Sequence, residues 1–392
     1  MVIFKKLSLE KIFQFFLQKI VLITPKTKIF VLRGTPDYED NLIEVYSALQ
    51  RRGFRKIIWI LNEPNNESPM PLMDDTLLVK RGGVSDFYYS VVAKYIFITH
   101  GHFIRTIPKN QVCVNLWHGV PLKKIGKLQG LPSRSDSILV STSEFTREIF
   151  FKSFNTPDKN IVITGQPRTD RMLQSDRSRV LKSVFDDSSG TRRLFVWLPT
   201  FRKSIHGKDH LDGTDFDNIF NCTNFSVERF DSLLIKHNAT CLIKPHPLSV
   251  VPKKFESLNL VFIDESWLAQ RSMTLYQLLG ATDGLISDIS SVIVDYILID
   301  KPIILLFDDL EVYKQKRGFS LSPIEEYLPA DISGNFEEFL MNFEAVLSGD
   351  DPHRAKRMFL KELYFKHSEV GAADRILDLI SLENTLNSRN QS

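Results

Sequence analysis

The chain has 392 residues, which is more than one ordinary hydrophobic core accommodates, so two domains are expected. Hydrophobic residues make up 43% and charged residues 25%, which argues against large-scale disorder, and a net charge of +3 is too small to indicate a nucleic-acid partner. Three widely spaced cysteines form no CxxC pair, so the sequence supports neither a disulfide framework nor a zinc ribbon and favours a reducing cytosol.

The N-terminal segment, residues 1–24, is predicted to form an amphipathic helix. Apolar residues recur at helical spacing from Leu9 to Ile20, and lysine and glutamine side chains occupy the other faces. These polar interruptions argue against a membrane span, and no small-residue cleavage site of a signal peptide follows. Such a helix either lies on an anionic membrane surface or packs on the first domain, and the sequence leaves both alternatives open.

Strands and helices alternate along two successive stretches of the chain, 25–175 and 190–385. The predicted strands are continuous apolar runs, which is typical of parallel sheets covered by helices on both faces. The segment Gln174–Arg193 is charged and rich in serine, and we interpret it as the linker between two domains. The last part, Phe336–Leu347 and Pro352–Leu382, is predicted to be helical. The fold class is therefore α/β, with two doubly wound domains that face each other across a ligand cleft.

The segment Asn115–Lys127 turns sharply after the predicted strand Gln111–Leu116 and then becomes cationic. His118 lies just past the strand end, where open α/β sheets build their sites, and its ordinary pKa near neutrality suits proton transfer. We interpret His118 as the reacting base. The lysines that follow it in this segment are interpreted as attracting either the acceptor's diphosphate or an anionic membrane, with a solvated basic turn as the alternative.

A second histidine, His246, lies in the run Lys244-Pro-His-Pro247, where two prolines restrict the backbone after an apolar strand. A fixed histidine beside a lysine suits a phosphate oxygen or a leaving group, and a surface turn is the alternative. A third strand end, Ser287-Asp-Ile-Ser-Ser291, precedes a predicted helix and is interpreted as an anion site made of amides and hydroxyls, with simple N-capping of that helix as the alternative. Asp295, one turn into that helix, is interpreted as accepting a hydrogen bond from a ribose or alcohol hydroxyl, with a surface role in solvent as the alternative.

Two arginines follow strands in the two domains, Arg202 in Pro199-Thr-Phe-Arg202 and Arg168 in Gly165-Gln-Pro-Arg168. An arginine can grip a phosphate with two N–H groups, so their joint placement favours a phosphorylated ligand. A pair of histidines, His100 and His102, lacks a third ligand at a matching spacing, and a structural role is favoured over metal binding.

Several runs match one family in order, namely Trp117-His-Gly-Val-Pro-Leu-Lys-Lys-Ile-Gly126, Gly165-Gln-Pro-Arg168, Lys244-Pro-His-Pro247, Ser287-Asp-Ile-Ser-Ser-Val-Ile-Val-Asp295, Lys301-Pro-Ile-Ile304, Tyr313 and Arg317-Gly-Phe319. Together they resemble the CDP-glycerol glycerophosphotransferases of teichoic acid synthesis, over about residues 94–375. The resemblance implies a GT-B fold, a CDP-alditol donor and a lipid-linked saccharide acceptor at the cytoplasmic face of the cell membrane. The chain departs from the family at Ser320–Glu325 and at Val370.

The resemblance also implies residue roles, with His118 as the base and His246 as a second essential histidine. Residues predicted to bind the donor are Gly119, Pro121, Arg168, Pro199, Thr200, Arg202, Lys244, Ser287, Ser290, Ser291 and Asp295. No metal ligand and no cofactor is expected, because helix amides, histidine and arginine take the place of a divalent ion.

The predicted reaction is the transfer of glycerol phosphate from CDP-glycerol to an acceptor hydroxyl, with release of CMP. Three alternatives stay open. The donor could be CDP-ribitol, the protein could be a nucleotide-sugar transferase of the same fold for a capsule or other cell-surface glycan, or it could be a non-enzymatic anchor that binds anionic lipid.

Overall fold

The computed structural model describes residues 16–65, 67–104, 106–131, 137–185, 191–200, 213, 214, 216, 218–246, 255 and 257–389, with side chains up to residue 381. Arg202, Pro247 and most of the predicted N-terminal helix lie outside these residues. The chain folds into two compact units. The first comprises the described residues of Met1–His118, Pro132–Asp170 and Gly371–Ser392, and the second those of Gly119–Leu131 and Arg171–Val370.

The strands are β1 Thr27–Arg33, β2 Ile57–Leu61, β3 Leu77–Lys80, β4 Ala93–Ile98, β5 Val112–Asn115, β6 Ile138–Ser141, β7 Ile161–Ile163, β8 Arg193–Leu198, β9 Ala239–Ile243, β10 Leu260–Phe262, β11 Gly284–Ser287, β12 Ile303–Leu306 and β13 Ile332–Ser333. The helices are α1 at 16–23, α2 Asp40–Arg51, α3 Val84–Val92, α4 Glu144–Ser153, α5 Pro167–Leu173, α6 Arg177–Phe185, α7 Val227–Lys236, α8 Glu265–Ala269, α9 Leu275–Ala281, α10 Val292–Tyr296, α11 Leu310–Lys316, α12 Phe336–Leu347, α13 Arg354–Tyr364 and α14 Ala372–Arg389.

The first unit contains a seven-stranded parallel sheet with the order β3-β2-β1-β4-β5-β6-β7. All five residues of β2 are buried, because successive side chains alternate between two covered faces. Trp59 packs in a cluster with residues of α2 and α14, whereas Ile58 and Ile60 pack with Val31 and Ile96 on the other face. The strand order reverses between β1 and β4, and ligands of such sheets bind at the carboxyl ends of the strands at this reversal.

The second unit contains a six-stranded parallel sheet with the order β10-β9-β8-β11-β12-β13. Its strand order reverses between β8 and β11, so a ligand of this sheet is expected at the carboxyl ends of these two strands. One face is covered by an aromatic cluster in which Trp197 of β8 stacks on Phe220, with 5.1 Å between ring centroids. Phe339 and Phe343 of α12 belong to the same cluster and fix this helix on the sheet.

The structure corrects three details of the sequence analysis. The segment interpreted as a linker contains α6, whose Val180 and Leu181 are buried and whose Arg177 forms an ion pair of 2.8 Å with Asp283. The helical prediction Pro352–Leu382 is interrupted between α13 and α14, and Gly371 just before α14 has φ +112°, a conformation that suits glycine. Strands β3 and β13, which the sequence analysis did not identify, are short edge strands of the two sheets.

The described part of the N-terminal helix, α1, has two apolar sides. Leu17 and Val21 are buried against Val91 and Ile104 of the first unit, whereas Phe16 and Ile20 are exposed. Packing on the first domain, one of the two alternatives left open, is therefore observed for one side of α1. Among the described residues, we found no helix with the length and apolar character that a membrane span requires.

Candidate functional site

In the first unit, His118 lies at the turn that follows β5. Trp117 has a positive φ of +56° and Gly119 has φ +130°, and the chain bends at residues 118 and 119. The side chain of Asn115 accepts a hydrogen bond of 3.0 Å from the Trp117 amide and stabilises this turn. The half-buried His118 is thereby presented at the carboxyl edge of the sheet, one strand from the reversal of strand order.

The ring of His118 is held by the neighbouring strand β4. Its Nδ1 lies 3.1 Å from the carbonyl oxygen of Thr99. A carbonyl oxygen only accepts, so Nδ1 carries the proton of the neutral ring and Nε2 carries the lone pair. The ring also stacks on His100 at 4.4 Å between centroids and lies 4.1 Å from the Trp117 ring. This tautomer suits a base, because a neutral imidazole protonated on Nδ1 takes up a proton through Nε2.

Asn41, at the start of α2, connects three strand-end loops of the first unit. Its side-chain amide donates to the Trp117 carbonyl oxygen at 3.2 Å and to Glu39 at 2.9 Å. Its side-chain oxygen accepts a 3.0 Å hydrogen bond from the backbone N–H of Arg168. The histidine turn and the arginine turn are thus fixed by one fully buried side chain that the sequence analysis missed. Asn41 could have been predicted as a site residue, because it is a polar residue at the start of the helix that follows β1.

The buried carboxyl group of Glu39 caps α2 by accepting from the backbone N–H of Asn41. Burial raises its pKa to about 8, and Asp40 adds to the increase, whereas the charge of Arg168 opposes it. Arg168 itself is buried within the first unit, in the helix α5 that begins at Pro167. Its predicted contact with the donor remains a prediction.

The turn before α5 is fastened to the C-terminal helix α14. Gly165 has φ +78°, and the Nε of Arg375 donates to the adjacent Thr164 carbonyl oxygen at 2.8 Å. Asp170 accepts from the Ala373 amide at 3.4 Å. Burial raises the pKa of Asp170 to about 6, although amide hydrogen bonds oppose the shift. The C-terminal helix therefore supports the turn that carries Arg168.

In the second unit, the strand ends at the reversal are joined by Asp288. Its carboxylate accepts from the Thr200 amide at 3.1 Å and from the Thr200 hydroxyl at 2.6 Å. Ser287 is fully buried, and its hydroxyl donates to the Leu198 carbonyl oxygen at 2.8 Å, which ties β11 to β8. Pro199, between Leu198 and Thr200 in the chain, is buried. The two predicted donor-binding positions Pro199 and Thr200 therefore lie beside Ser287.

The residues that follow β9 place a histidine among charged groups. Lys244 is buried and forms an ion pair of 2.9 Å with Glu265, and His246 lies two residues later in the chain. Desolvation by the surrounding protein lowers the pKa of His246 to about 4, the ammonium groups of Lys123 and Lys244 lower it further, and Asp288 opposes them. His246, Lys244 and the β8–β11 strand ends thus belong to one electrostatic neighbourhood within the second unit.

The start of α10 differs in detail from the prediction. Ser290 and Ser291 are half-buried, and Ser291 precedes a helix of only five residues without capping it through its side chain. Asp295 is buried and accepts a 2.5 Å hydrogen bond from the Tyr276 hydroxyl. This hydrogen bond joins α10 to α9. The contacts of Ser290, Ser291 and Asp295 with a donor stay predictions.

The segment that follows His118 belongs to the second unit. Gly119 and Pro121 are buried, and the Ser320 hydroxyl donates to the Pro121 carbonyl oxygen. Backbone hydrogen bonds run from Lys124 to the Gly318 carbonyl at 3.1 Å and from Ser320 to the Leu122 carbonyl at 2.9 Å. Gly119 and Pro121 are therefore buried backbone positions of the segment that follows His118, and their predicted contact with the donor stays a prediction. The described residues include no group of three or more histidine, cysteine or acidic side chains that could hold a metal ion.

The model of the family described as CDP-Glycerol:Poly(glycerophosphate) glycerophosphotransferase matches residues 13–382. The teichoic acid ribitol-phosphate polymerase TarL of Staphylococcus aureus (strain NCTC 8325 / PS 47) is 28% identical over 376 residues, which cover 90% of this chain and 61% of TarL. The teichoic acid glycerol-phosphate primase of Bacillus subtilis (strain 168) is 23% identical over 339 residues, which cover 80% of this chain and 81% of the primase. The chain therefore spans less than two thirds of TarL.

Among solved structures, the wall teichoic acid polymerase TagF is similar to this chain with a TM-score of 0.72. The match covers 98% of this chain and 96% of that chain at 19% sequence identity. At this identity the similarity shows the fold alone. The predicted α/β, GT-B-like fold with two Rossmann-like units and a helical C-terminus is confirmed.

Proposed function

Because the chain belongs to the CDP-glycerol:poly(glycerophosphate) glycerophosphotransferase family, we propose that it transfers an alditol phosphate from a CDP-alditol to a hydroxyl group of a membrane-linked acceptor. The observation that carries this proposal is the hydrogen bond between His118 Nδ1 and the Thr99 carbonyl oxygen, because it sets the tautomer in which Nδ1 holds the proton and Nε2 is the basic nitrogen. The reaction belongs to the synthesis of teichoic acid or a related cell-surface polymer.

In the proposed mechanism, His118 removes the proton of the acceptor hydroxyl, whose oxygen attacks the β-phosphorus of the donor. A new P–O bond forms to the acceptor, and the bond between the β-phosphorus and the oxygen that bridges the two phosphates breaks. CMP leaves with the electron pair of that bond, and the product is a phosphodiester. Proton transfer by a positioned histidine contributes roughly 100- to 10,000-fold to such reactions.

Negative charge builds up on the phosphoryl oxygens and on the leaving CMP during this step. We assign two groups of the second unit to this negative charge, the cation of Lys244 and the ring of His246. Ser290 and Ser291 are assigned to the donor phosphates through their amides and hydroxyls. With these groups in place, we expect turnover without an added divalent ion, which an assay in excess EDTA tests directly.

The donor alditol is proposed to be glycerol, in line with the family description. Ribitol is a second candidate, because the similar protein TarL is a ribitol-phosphate polymerase. Incubation of the protein with CDP-glycerol and CDP-ribitol in parallel, followed by mass spectrometry of a synthetic lipid-linked acceptor, distinguishes the two by product mass. The same spectra show whether one unit or many are added. Nucleotide sugars serve as a third arm, since their products gain no phosphorus.

The membrane-linked acceptor requires the protein at the membrane surface, and we propose a peripheral position at its cytoplasmic face. Helices α1 and α3 of the first unit expose apolar side chains, namely Phe16, Ile20, Ile23, Val84, Phe87 and Tyr88. Exposed apolar residues beside lysines are typical of helices that lie in the interface of anionic membranes. Replacement of Phe16 and Ile20 by serine should reduce sedimentation with anionic vesicles. The control is Met341→Ser, which alters an exposed apolar residue of the second unit.

The proposed role of His118 is tested with His118→Ala. We expect CMP release to fall by at least about 100-fold while calorimetry shows unchanged binding of the CDP-alditol, because the base acts on the acceptor. His367→Ala, which alters a histidine between α13 and α14 paired with Glu369, is the matched control. Normal CMP release by His118→Ala would overturn the mechanism. Absence of CMP release by the unchanged protein with every donor, together with strong vesicle binding, would favour a non-enzymatic anchor.

A further inference from the structure

The cationic segment after His118 is fixed to the second unit along its backbone. Lys123 forms an antiparallel bridge with Phe319. The hydrogen bonds between Lys124 and Gly318 and between Ser320 and Leu122 flank this bridge. Three consecutive residues, Leu122, Lys123 and Lys124, are thereby paired with Gly318, Phe319 and Ser320. A solvated basic turn would lack such pairing, so the placement of Lys123 is determined by the fold.

The side chain of Lys123 is held as well. Its ammonium group lies 5.3 Å from the centroid of the Tyr313 ring, within the range of a cation–π contact. The Tyr313 ring is fully buried and is itself fixed between Phe319, at 5.7 Å, and Phe307, at 5.3 Å between centroids. A lysine on a rigid aromatic platform loses less conformational freedom when it binds an anion than a lysine in solvent does.

Lys123 and Lys244 act on the same histidine. Both ammonium charges lower the pKa of His246, and Asp288, which holds Thr200, is the charged group that opposes them. Lys244 comes from the end of β9 and is paired with Glu265 of α8, whereas Lys123 comes from the segment 119–131. Two parts of the second unit, the end of β9 and the segment 119–131, therefore bring cations and an imidazole to the place where the sequence predicts phosphate binding.

We propose that Lys123 is a donor-binding residue that contacts the diphosphate of the CDP-alditol together with His246. This inference rests on the proposed function and replaces the interpretation of Lys123 as a residue for the acceptor or the membrane. The ligand chemistry is a nucleoside diphosphate ester, whose β-phosphate carries the transferred alditol. Lys123 follows His118 by five residues in the sequence. One short segment then carries both the base that deprotonates the acceptor hydroxyl and a cation that binds the donor diphosphate.

The proposal has a consequence for protonation. An anion bound beside His246 offsets the charges of Lys123 and Lys244, and a nearby negative charge raises the pKa of a histidine. Donor binding should therefore be accompanied by a rise in the pKa of His246 from its value of about 4 in the free protein. A change of this direction is visible in the NMR titration of the His246 ring protons with and without CDP-glycerol.

The test compares Lys123→Met and Lys123→Gln with Lys124→Met, which removes the same charge from the exposed neighbour. Calorimetry measures binding of CDP-glycerol and of CMP by the 392-residue chain, and thermal melting verifies folding. A charged hydrogen bond to phosphate is worth about 10- to 100-fold in affinity. We expect both Lys123 variants to bind CDP-glycerol about 10- to 100-fold more weakly than wild type and to lose less affinity for CMP. Lys124→Met should bind CDP-glycerol with wild-type affinity.

The inference about Lys123 and the proposed function can fail separately. If wild type binds CDP-glycerol and both Lys123 variants bind it equally well, the inference is wrong and the proposed function stands. The same conclusion follows if the variants lose only vesicle or acceptor binding. If wild type binds neither CDP-glycerol nor CDP-ribitol, the proposed function itself is contradicted.

Discussion

The imidazole ring of His118 stacks on that of His100, with 4.4 Å between ring centroids and 11° between ring planes. Thr99 contacts both rings, because its carbonyl oxygen faces His118 Nδ1 and its hydroxyl lies 3.0 Å from His100 Nδ1. Desolvation by burial and the nearby charge of Arg81 lower the pKa of His100. A neutral ring against His118 favours the imidazolium that forms when His118 takes up a proton, whereas a second cation there would oppose it.

Replacement of His100 should therefore change the pH dependence of turnover in a way that depends on charge. In His100→Arg a permanent cation lies beside His118 and lowers the pKa of His118, so the acidic limb of kcat/KM should move to lower pH by about one unit. In His100→Phe the stacked ring remains neutral, and the limb should stay in place with kcat within about threefold of wild type. An unshifted limb in His100→Arg would show that the stack has no electrostatic role.

Removal of the Asn41 side chain should destabilise the first unit and impair catalysis together. In Asn41→Ala the Trp117 carbonyl, the Arg168 amide and Glu39 lose their shared partner. Unsatisfied buried polar groups cost about 1–3 kcal/mol each, so the free energy of unfolding measured in urea should fall by at least that amount. Asn110→Ala, at an exposed position, is the control and should unfold like wild type. Equal unfolding of both variants would contradict this role of Asn41.

The two parallel sheets and the polar residues at their carboxyl edges were predictable from the sequence, because buried parallel strands have a recognisable apolar pattern. Each strand is a continuous apolar run, and the polar residue after it falls at the carboxyl edge of the sheet. His118 after β5, Thr200 after β8 and Ser287 at the end of β11 were identified in this way, and the structure places each at such an edge.

The contacts between these strand ends were not predictable from the same signal. Asn41 lies 127 residues from Arg168 along the chain, and Lys123 lies 196 residues from Phe319, so only the folded chain brings each pair together. The short helix α6 was missed for a different reason. Its charged residues resembled a linker, although Val180 and Leu181 are adjacent and buried on one side.

Asp288 should influence His246 through its charge and influence Thr200 through its hydrogen bonds. In Asp288→Asn the negative charge near His246 is removed, so the pKa of His246 should fall below its value of about 4. In Thr200→Val the carboxylate remains and only the hydroxyl donor is lost, so the pKa of His246 should not change. Proton NMR titration of the His246 ring measures both. An equal shift in the two variants would show that the carboxylate charge is not the cause.

The buried carboxyl group of Glu39 makes stability depend on pH. Its pKa is raised in the folded protein to about 8 from an ordinary value of 4.5, because burial and Asp40 outweigh the opposing charge of Arg168 and the amide hydrogen bonds. The folded state therefore binds more protons than the unfolded state between these values. This contribution to stability is fully present below pH 4.5 and is lost as the pH rises through about 8, with a slope of at most ~1.4 kcal/mol per pH unit.

Glu39→Gln removes this titration and keeps a side chain of similar size, so its stability relative to wild type should increase steadily from pH 5 to pH 8.5. Urea unfolding at several pH values measures the difference, from which the contributions of other groups cancel. Glu337→Gln, which alters an exposed glutamate of the second unit, should show no such increase over this range. A constant difference between wild type and Glu39→Gln would mean that Glu39 is already ionised in the folded protein, with Arg168 as the dominant influence on its pKa.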